Sequence, residues 1–141
     1  RVSQATESAR LHDYISGLPQ GYESLVGERG ISLSGGQRQR LSISRSTLLL
    51  PSVLVLDDAT SAIDAVTENQ IRRSLIDFAK SCATIIISHR LSSLMHANEI
   101  LFLEQGEVVE RGTHDELLAM NGRYKALYEL QGVGGGDHGD E

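Results

Sequence analysis

Three groups of residues have the types and spacing for chemistry on a phosphate. The first is Leu33-Ser34-Gly35-Gly36-Gln37-Arg38-Gln39-Arg40. Ser34 and Gln37 stand in the S-x-x-Q spacing of a capping box, so a helix should begin here with Ser34 as its cap. Gly35 and Gly36 leave the first N–H groups of that helix without side-chain cover, and a bare helix N-terminus attracts anions. Taken alone, the glycine pair reads as an ordinary turn before a helix. The second group is Asp57-Asp58, directly after Val53-Leu54-Val55-Leu56. Adjacent carboxylates after a buried strand are costly unless a cation or a proton is shared between them, and magnesium carrying a nucleotide phosphate would offset that cost. A capping pair for the next helix would explain one aspartate but hardly both. The third group is His89, just past Thr84-Ile85-Ile86-Ile87. By itself it reads as a surface histidine after a strand.

These residues need elements to hold them. Residues 3 to 16 read as one helix, with Ala5, Ala9, Leu11 and Ile15 loosely on one side and Gly17 and Pro19 ending it. Residues 20 to 32 read as loop, in which Glu28-Arg29 forms a charge pair between glycines. A helix from Gly35 to about Leu49 is stopped by Pro51. The run 53–56 is too short for a helix and reads as a strand buried on both faces. Asp64 can cap the next helix, whose Ile71, Leu75 and Phe78 recur at helical spacing. Thr84–Ile87 reads as a second buried strand, which completes a strand-helix-strand unit with a right-handed crossover. In a parallel sheet, ligands bind beyond the carboxyl ends of the strands, where Asp57, Asp58 and His89 all fall.

The remainder reads as a short helix near Leu91–Met95 and a hairpin turning at Gln105-Gly106. A capping box at Thr113–Glu116 then opens a helix that Asn121-Gly122 breaks. A last helix from Arg123 to Gln131 puts Tyr124, Leu127 and Tyr128 on one face. The tail, Gly132 to Glu141, is glycine-rich and acidic and reads as disordered.

With 141 residues and 40% hydrophobic content, the chain can build a modest core. A formal net charge of −6 provides no basic field for nucleic acid. Arg38, Arg40 and Arg45 cluster, which is usual for a solvated helix face. The lone Cys82 suits a reducing compartment. No apolar run approaches the ~18 residues of a membrane span. The chain starts at Arg1, inside what reads as helix, and is taken to be part of something longer.

Taken together, the motifs resemble the ATP-binding cassette (ABC) ATPases over about residues 1 to 131. Leu33–Gln37 matches their signature motif and Val53–Asp58 looks like their Walker B strand. Ser61-Ala62-Ile63-Asp64 resembles the D-loop, and Ser88-His89-Arg90 the switch-histidine loop. Four short motifs in one order are far more specific than any one of them. Val26–Gly30 is similar to the segment that faces the coupling helices in exporter-type members. Gly106–Leu118 looks like the exporter C-terminal region.

The resemblance implies an α/β fold, a partial P-loop NTPase core with parallel strands, flanking helices and a C-terminal hairpin. Residues 1–50 would be the end of the helical signature subdomain, 51–131 the C-terminal half of the ATPase core, and 132–141 the tail. It implies ATP and Mg2+ as cofactors, with ATP sandwiched between two nucleotide-binding domains arranged head to tail. Asp57 would hold magnesium, through water. Asp58 stands where the catalytic base orients the attacking water. His89 would contact the γ-phosphate, and Asp64 would cross the dimer interface. Ser34, Gly35, Gly36 and Gln37 would cap the γ-phosphate of the partner's nucleotide. The partners implied are a second nucleotide-binding domain and the transmembrane domains, at the cytoplasmic face of the membrane.

The sequence departs from the family pattern in three ways. No G-x-x-x-x-G-K-[ST] occurs, so the phosphate-cradling loop, the adenine-stacking aromatic and the glutamine loop are expected upstream of Arg1. The isolated chain is therefore expected to be inactive. Asp58 stands where the family usually has Glu. Ser42, Ser44 and Ser46 replace the usual alanines, each lowering helix propensity by up to ~0.5 kcal/mol. Three functions compete: the ATPase part of an exporter, with Asp58 suiting the degenerate-site subunit of a heterodimer; a soluble ABC ATPase acting on nucleic acid or ribosomes; and a regulatory half that holds ATP without hydrolysing it. Coiled-coil insertions or basic arms would mark the second and are absent from this sequence. The transported substrate is not legible.

Overall fold

In the computed structural model the described residues are 1–27, 30–80 and 82–132, without the side chains of 77–79. The Glu28–Arg29 pair, the Phe78 side chain and the tail from 133 onward lie outside them. The chain forms two compact units, Arg1–Ile87 and the part from Ser88 onward.

The first unit begins with two helices, α1 (Val2–Ser8) and α2 (His12–Ser16), where the periodicity suggested one. The break is a Schellman-type ending. Leu11 N–H donates to the Thr6 carbonyl (2.8 Å) and Arg10 N–H to the Glu7 carbonyl (2.9 Å). Arg10 takes φ 55°, the position glycine usually fills. Arg40 Nη1 then donates to the Arg10 carbonyl at 2.6 Å. No glycine marks this turn in the sequence, so the helical pattern reads straight through it.

Helix α3 (Gly35–Leu48) starts at the expected capping box. Gln37 N–H donates to Ser34 Oγ at 3.2 Å, and Ser34 N–H to Gln37 Oε1 at 2.8 Å. Ser44 and Ser46 donate their hydroxyls to the carbonyls of Arg40 and Ser42, four residues back, a contact that slightly weakens a helix relative to alanine. The helix ends at Leu49 and Leu50, the latter at φ 49°, before Pro51.

Strand β1 (Val53–Asp57), helix α4 (Ala65–Ala79) and strand β2 (Ala83–Ile87) form the expected strand-helix-strand unit. The strands pair in parallel, from Val53 opposite Ala83 to Asp57 opposite Ile87. Leu54 and Leu56 join Ala9, Ile43, Ile63, Ile71 and Cys82 in one core. The expectation of burial on both faces is corrected here. Val53 and Val55 are 54% and 53% exposed, and Ile85 and Ile87 are 52% and 51% exposed. The apolar run signals two covered faces, but Ile43, Ile63 and Ile71 all meet the Leu54/Leu56 side.

The second unit opens with a single 3-10 turn at Leu91–Ser93 in place of the short helix expected there. Strands β3 (Ile100–Glu104) and β4 (Glu107–Gly112) form the hairpin, turning through Gln105 (φ 51°) and Gly106 (φ 84°). Positive φ at both central residues gives a primed turn that matches the strand twist. Helix α5 (His114–Ala119) carries the Thr113–Glu116 capping box, and helix α6 (Arg123–Leu130) closes the unit. Leu91, Ile100, Leu117 and Tyr124 make the core, with Leu127 and Tyr128 packed against it. Among the described residues no helix is long and apolar enough to cross a membrane.

Candidate functional site

The N-terminus of α3 lies against the loop that follows β1. A Cβ on Gly36 would sit 2.8 Å from the Ala62 carbonyl oxygen, closer than real Cβ atoms come. One on Gly35 would meet Ala62 Cβ at 3.4 Å, an ordinary contact. The glycine pair therefore serves packing as well as leaving the helix N-terminus bare, and Gly36 is required by the close approach.

Gln39, two residues past the signature motif and without a role from sequence reasoning, fixes that loop. Its Oε1 accepts from Ala62 N–H at 2.8 Å. Its Nε2 donates to Ser61 Oγ at 2.8 Å and to the Asp58 carbonyl at 3.3 Å. One side-chain amide thus ties α3 to both ends of the segment 58–62.

Asp57 ends β1 opposite Ile87, and Asp58 N–H donates to the Ile87 carbonyl at 2.8 Å. Asp58 stands at φ 48°, a left-handed conformation that aspartate adopts more readily than most side chains. Both aspartates are exposed, so the desolvation cost expected of a buried pair does not arise. The donor set still fits magnesium. Hard carboxylate oxygens at a solvent-facing strand end suit an ion that keeps much of its water and binds through one or two carboxylates plus phosphate. Among the described residues no cluster of three or more His, Cys, Asp or Glu could enclose a metal by itself.

Asp64 is the N-cap of α4, as the sequence suggested: Thr67 N–H donates to its Oδ2 at 2.9 Å. That backbone hydrogen bond, then one from the Thr67 side chain, holds the Asp64 carboxyl below the usual carboxylate range. Nearby, Thr60 Oγ1 donates to Glu68 Oε1 at 2.8 Å, and Glu68 is buried. Ser34, Gly35, Gly36, Gln37, Asp57, Asp58 and Asp64 therefore share the first unit. His89 is exposed in the second, where its carbonyl accepts from Gln131 Nε2 at 2.6 Å. Gln131 carries no motif and lies 42 residues from His89, so no sequence signal could have joined them.

The class of protein follows from this combination of a glycine-opened helix, an aspartate pair after a parallel strand and a histidine past the next strand. Residues 1–61 match the family model described as ABC transporter. The fold is that of part of an ABC exporter's nucleotide-binding domain. A bacterial Atm1-family ABC exporter solved with ATP bound matches 92% of this chain with 23% of its own length, at TM-score 0.87 and 42% identity. The ABC transporter ATP-binding protein YknU of Bacillus subtilis (strain 168), itself uncharacterised, is 51% identical over 130 residues. An ATP-binding/permease protein of Staphylococcus aureus (strain NCTC 8325), named for multidrug export, is 49% identical over 132 residues. The chain belongs to the ABC transporter family. It covers 22% and 23% of these two relatives, and they in turn match 92% and 94% of it.

Proposed function

We propose that this chain is the C-terminal part of the nucleotide-binding domain of an ABC exporter, and that the whole protein uses ATP hydrolysis to move a substrate out across a membrane. Residues 1–50 end the signature subdomain, 51–131 complete the ATPase core and 132–141 form a tail. The observation that carries the reading is the contact between the bare α3 N-terminus and the loop bearing Asp58. One tight junction joins the group that reaches the partner's nucleotide to the group that acts on the chain's own.

In this reading Ser34, Gly35, Gly36 and Gln37 cap the γ-phosphate of ATP held by a second, head-to-tail nucleotide-binding domain, with the N–H groups of Gly35 and Gly36 at the positive end of the helix. Asp57 holds Mg2+ through water, and the ion supplies charge neutralisation on the phosphates. Asp58 orients the attacking water. His89 contacts the γ-phosphate, and Asp64 presents the D-loop at the dimer interface while capping α4. The domain works at the cytoplasmic face, coupled to transmembrane domains. Relatives named as ATP-binding/permease proteins support a transporter over a soluble ABC ATPase or a regulatory half. Asp58 in place of Glu favours a heterodimer in which this chain's own site turns over slowly.

The test is Ser34→Arg in the full-length protein reconstituted in lipid vesicles. Transport should be abolished while nucleotide binding to the chain carrying the change persists, because the cation fills a pocket that serves the opposite subunit. Transport that survives the change would refute the assignment of Ser34.

A further inference from the structure

His89 sits on a segment whose backbone is held from 42 residues away. Gln131 Nε2 donates to the His89 carbonyl at 2.6 Å, and Leu91 N–H donates to Gln131 Oε1 at 3.0 Å. The side-chain amide thus bonds residue 89 and residue 91 as a neighbouring strand would, spanning Arg90. Arg90 N–H is taken by Ser88 Oγ at 3.0 Å. Leu91, at one end of this bridge, is anchored in the core with Ile100, Leu117 and Tyr124. We propose that Gln131 is a positioning residue for His89, setting the backbone from which the histidine reaches a nucleotide's terminal phosphate.

The other end of the bridge is equally fixed. Gln131 is the C-cap of α6, and its N–H donates to the Leu127 carbonyl at 2.9 Å. The start of α6 is held by Glu110, whose carboxylate accepts from Arg123 N–H at 2.5 Å and Tyr124 N–H at 3.0 Å. Tyr124 is fully buried, and its hydroxyl pairs with His114 Nδ1 at 2.8 Å. Rigid support of this kind is what a positioning group needs, since small displacements of reacting groups cost rate.

The chemistry selects glutamine. The bridge needs one donor and one acceptor on the same planar group. Glutamate would face the His89 carbonyl with a second acceptor. Asparagine would fall short by ~1.5 Å, one carbon–carbon bond. Lysine could not accept from Leu91.

The inference rests on the proposed role of His89, and its test separates the two. In the full-length transporter, Gln131→Ala and Gln131→Glu should each lower kcat for ATP about 10-fold while KM stays within about 2-fold, as expected when placement and not binding is lost. Hydrogen exchange across 89–94 should quicken in Gln131→Ala, while exchange in the β3–β4 hairpin stays as in the unaltered protein. In a His89→Ala background, Gln131→Ala should add less than about 2-fold, because coupled groups are not additive. Unchanged kcat in both Gln131 variants would overturn the proposal. So would a full, multiplicative effect in the His89→Ala background, which would mark a structural role. If His89→Ala itself leaves turnover intact, the reading of His89 fails, and the exchange measurement still decides whether Gln131 orders the segment.

Discussion

Alanine at Gly35 should stabilise the protein, whereas alanine at Gly36 should leave it unchanged or less stable, although the two positions are adjacent on one helix. Replacing glycine by alanine gains up to ~1 kcal/mol of helix propensity at either site. At Gly35 the new methyl meets Ala62 Cβ at 3.4 Å, so the gain is kept. At Gly36 it sits 2.8 Å from the Ala62 carbonyl oxygen, and that backbone cannot retreat freely because Gln39 holds Ala62 N–H. Overpacking of this kind costs ~1–3 kcal/mol. Gly36→Ala should therefore lie between neutral and ~2 kcal/mol destabilised, with Gly35→Ala more stable than it by ~1–3 kcal/mol. Urea unfolding followed by circular dichroism measures this as a gap in midpoint at constant slope. Coincident midpoints, or a Gly36→Ala protein as stable as Gly35→Ala, would refute the close approach of α3 to the loop.

Other outcomes follow from the same geometry. Asp58→Glu extends the carboxylate by ~1.5 Å and should raise single-site turnover, up to ~100-fold where reach is limiting. It should also lower stability by up to ~1 kcal/mol, because φ 48° suits aspartate better. Unchanged turnover would sink the degenerate-site reading. Asp64 has a depressed carboxyl pKa, so its support for the start of α4 is present at neutral pH and is lost as pH falls through that lowered value. The Thr67 amide shift, followed by NMR, should therefore move only below the usual carboxylate range, and not at all in Asp64→Ala. Glu110→Ala removes the carboxylate that accepts from Arg123 and Tyr124 N–H, and should cost ~1 kcal/mol, read by denaturation.

The sequence made legible whatever is written in local chemistry. Both capping boxes formed as spaced, because a serine or threonine three residues before glutamine or glutamate satisfies two N–H groups reciprocally. The Gln105-Gly106 turn and the parallel pairing of β1 with β2 were legible for similar reasons. The break between α1 and α2 was not, because Arg10 occupies a left-handed position that only glycine or asparagine would have advertised. The exposure of Val53 and Val55 was not either, since an apolar run reports what a strand is suited to bury and says nothing of which neighbours arrive.

The candidate site divides along the same line. Its motif residues were legible because each bears a group that could act on phosphate. Gln39 and Gln131 were not, because they act on backbone: one holds Asp58, Ser61 and Ala62, the other His89 and Leu91. Each supplies a donor and an acceptor from a single amide, which a loop without strand partners needs to fix its peptide groups. The carboxylate of Asp58 and the imidazole of His89 stand on exposed surfaces, on backbone that these amides hold. Holding the loop through its peptide groups places that restraint on residues that no phosphate-binding motif contains.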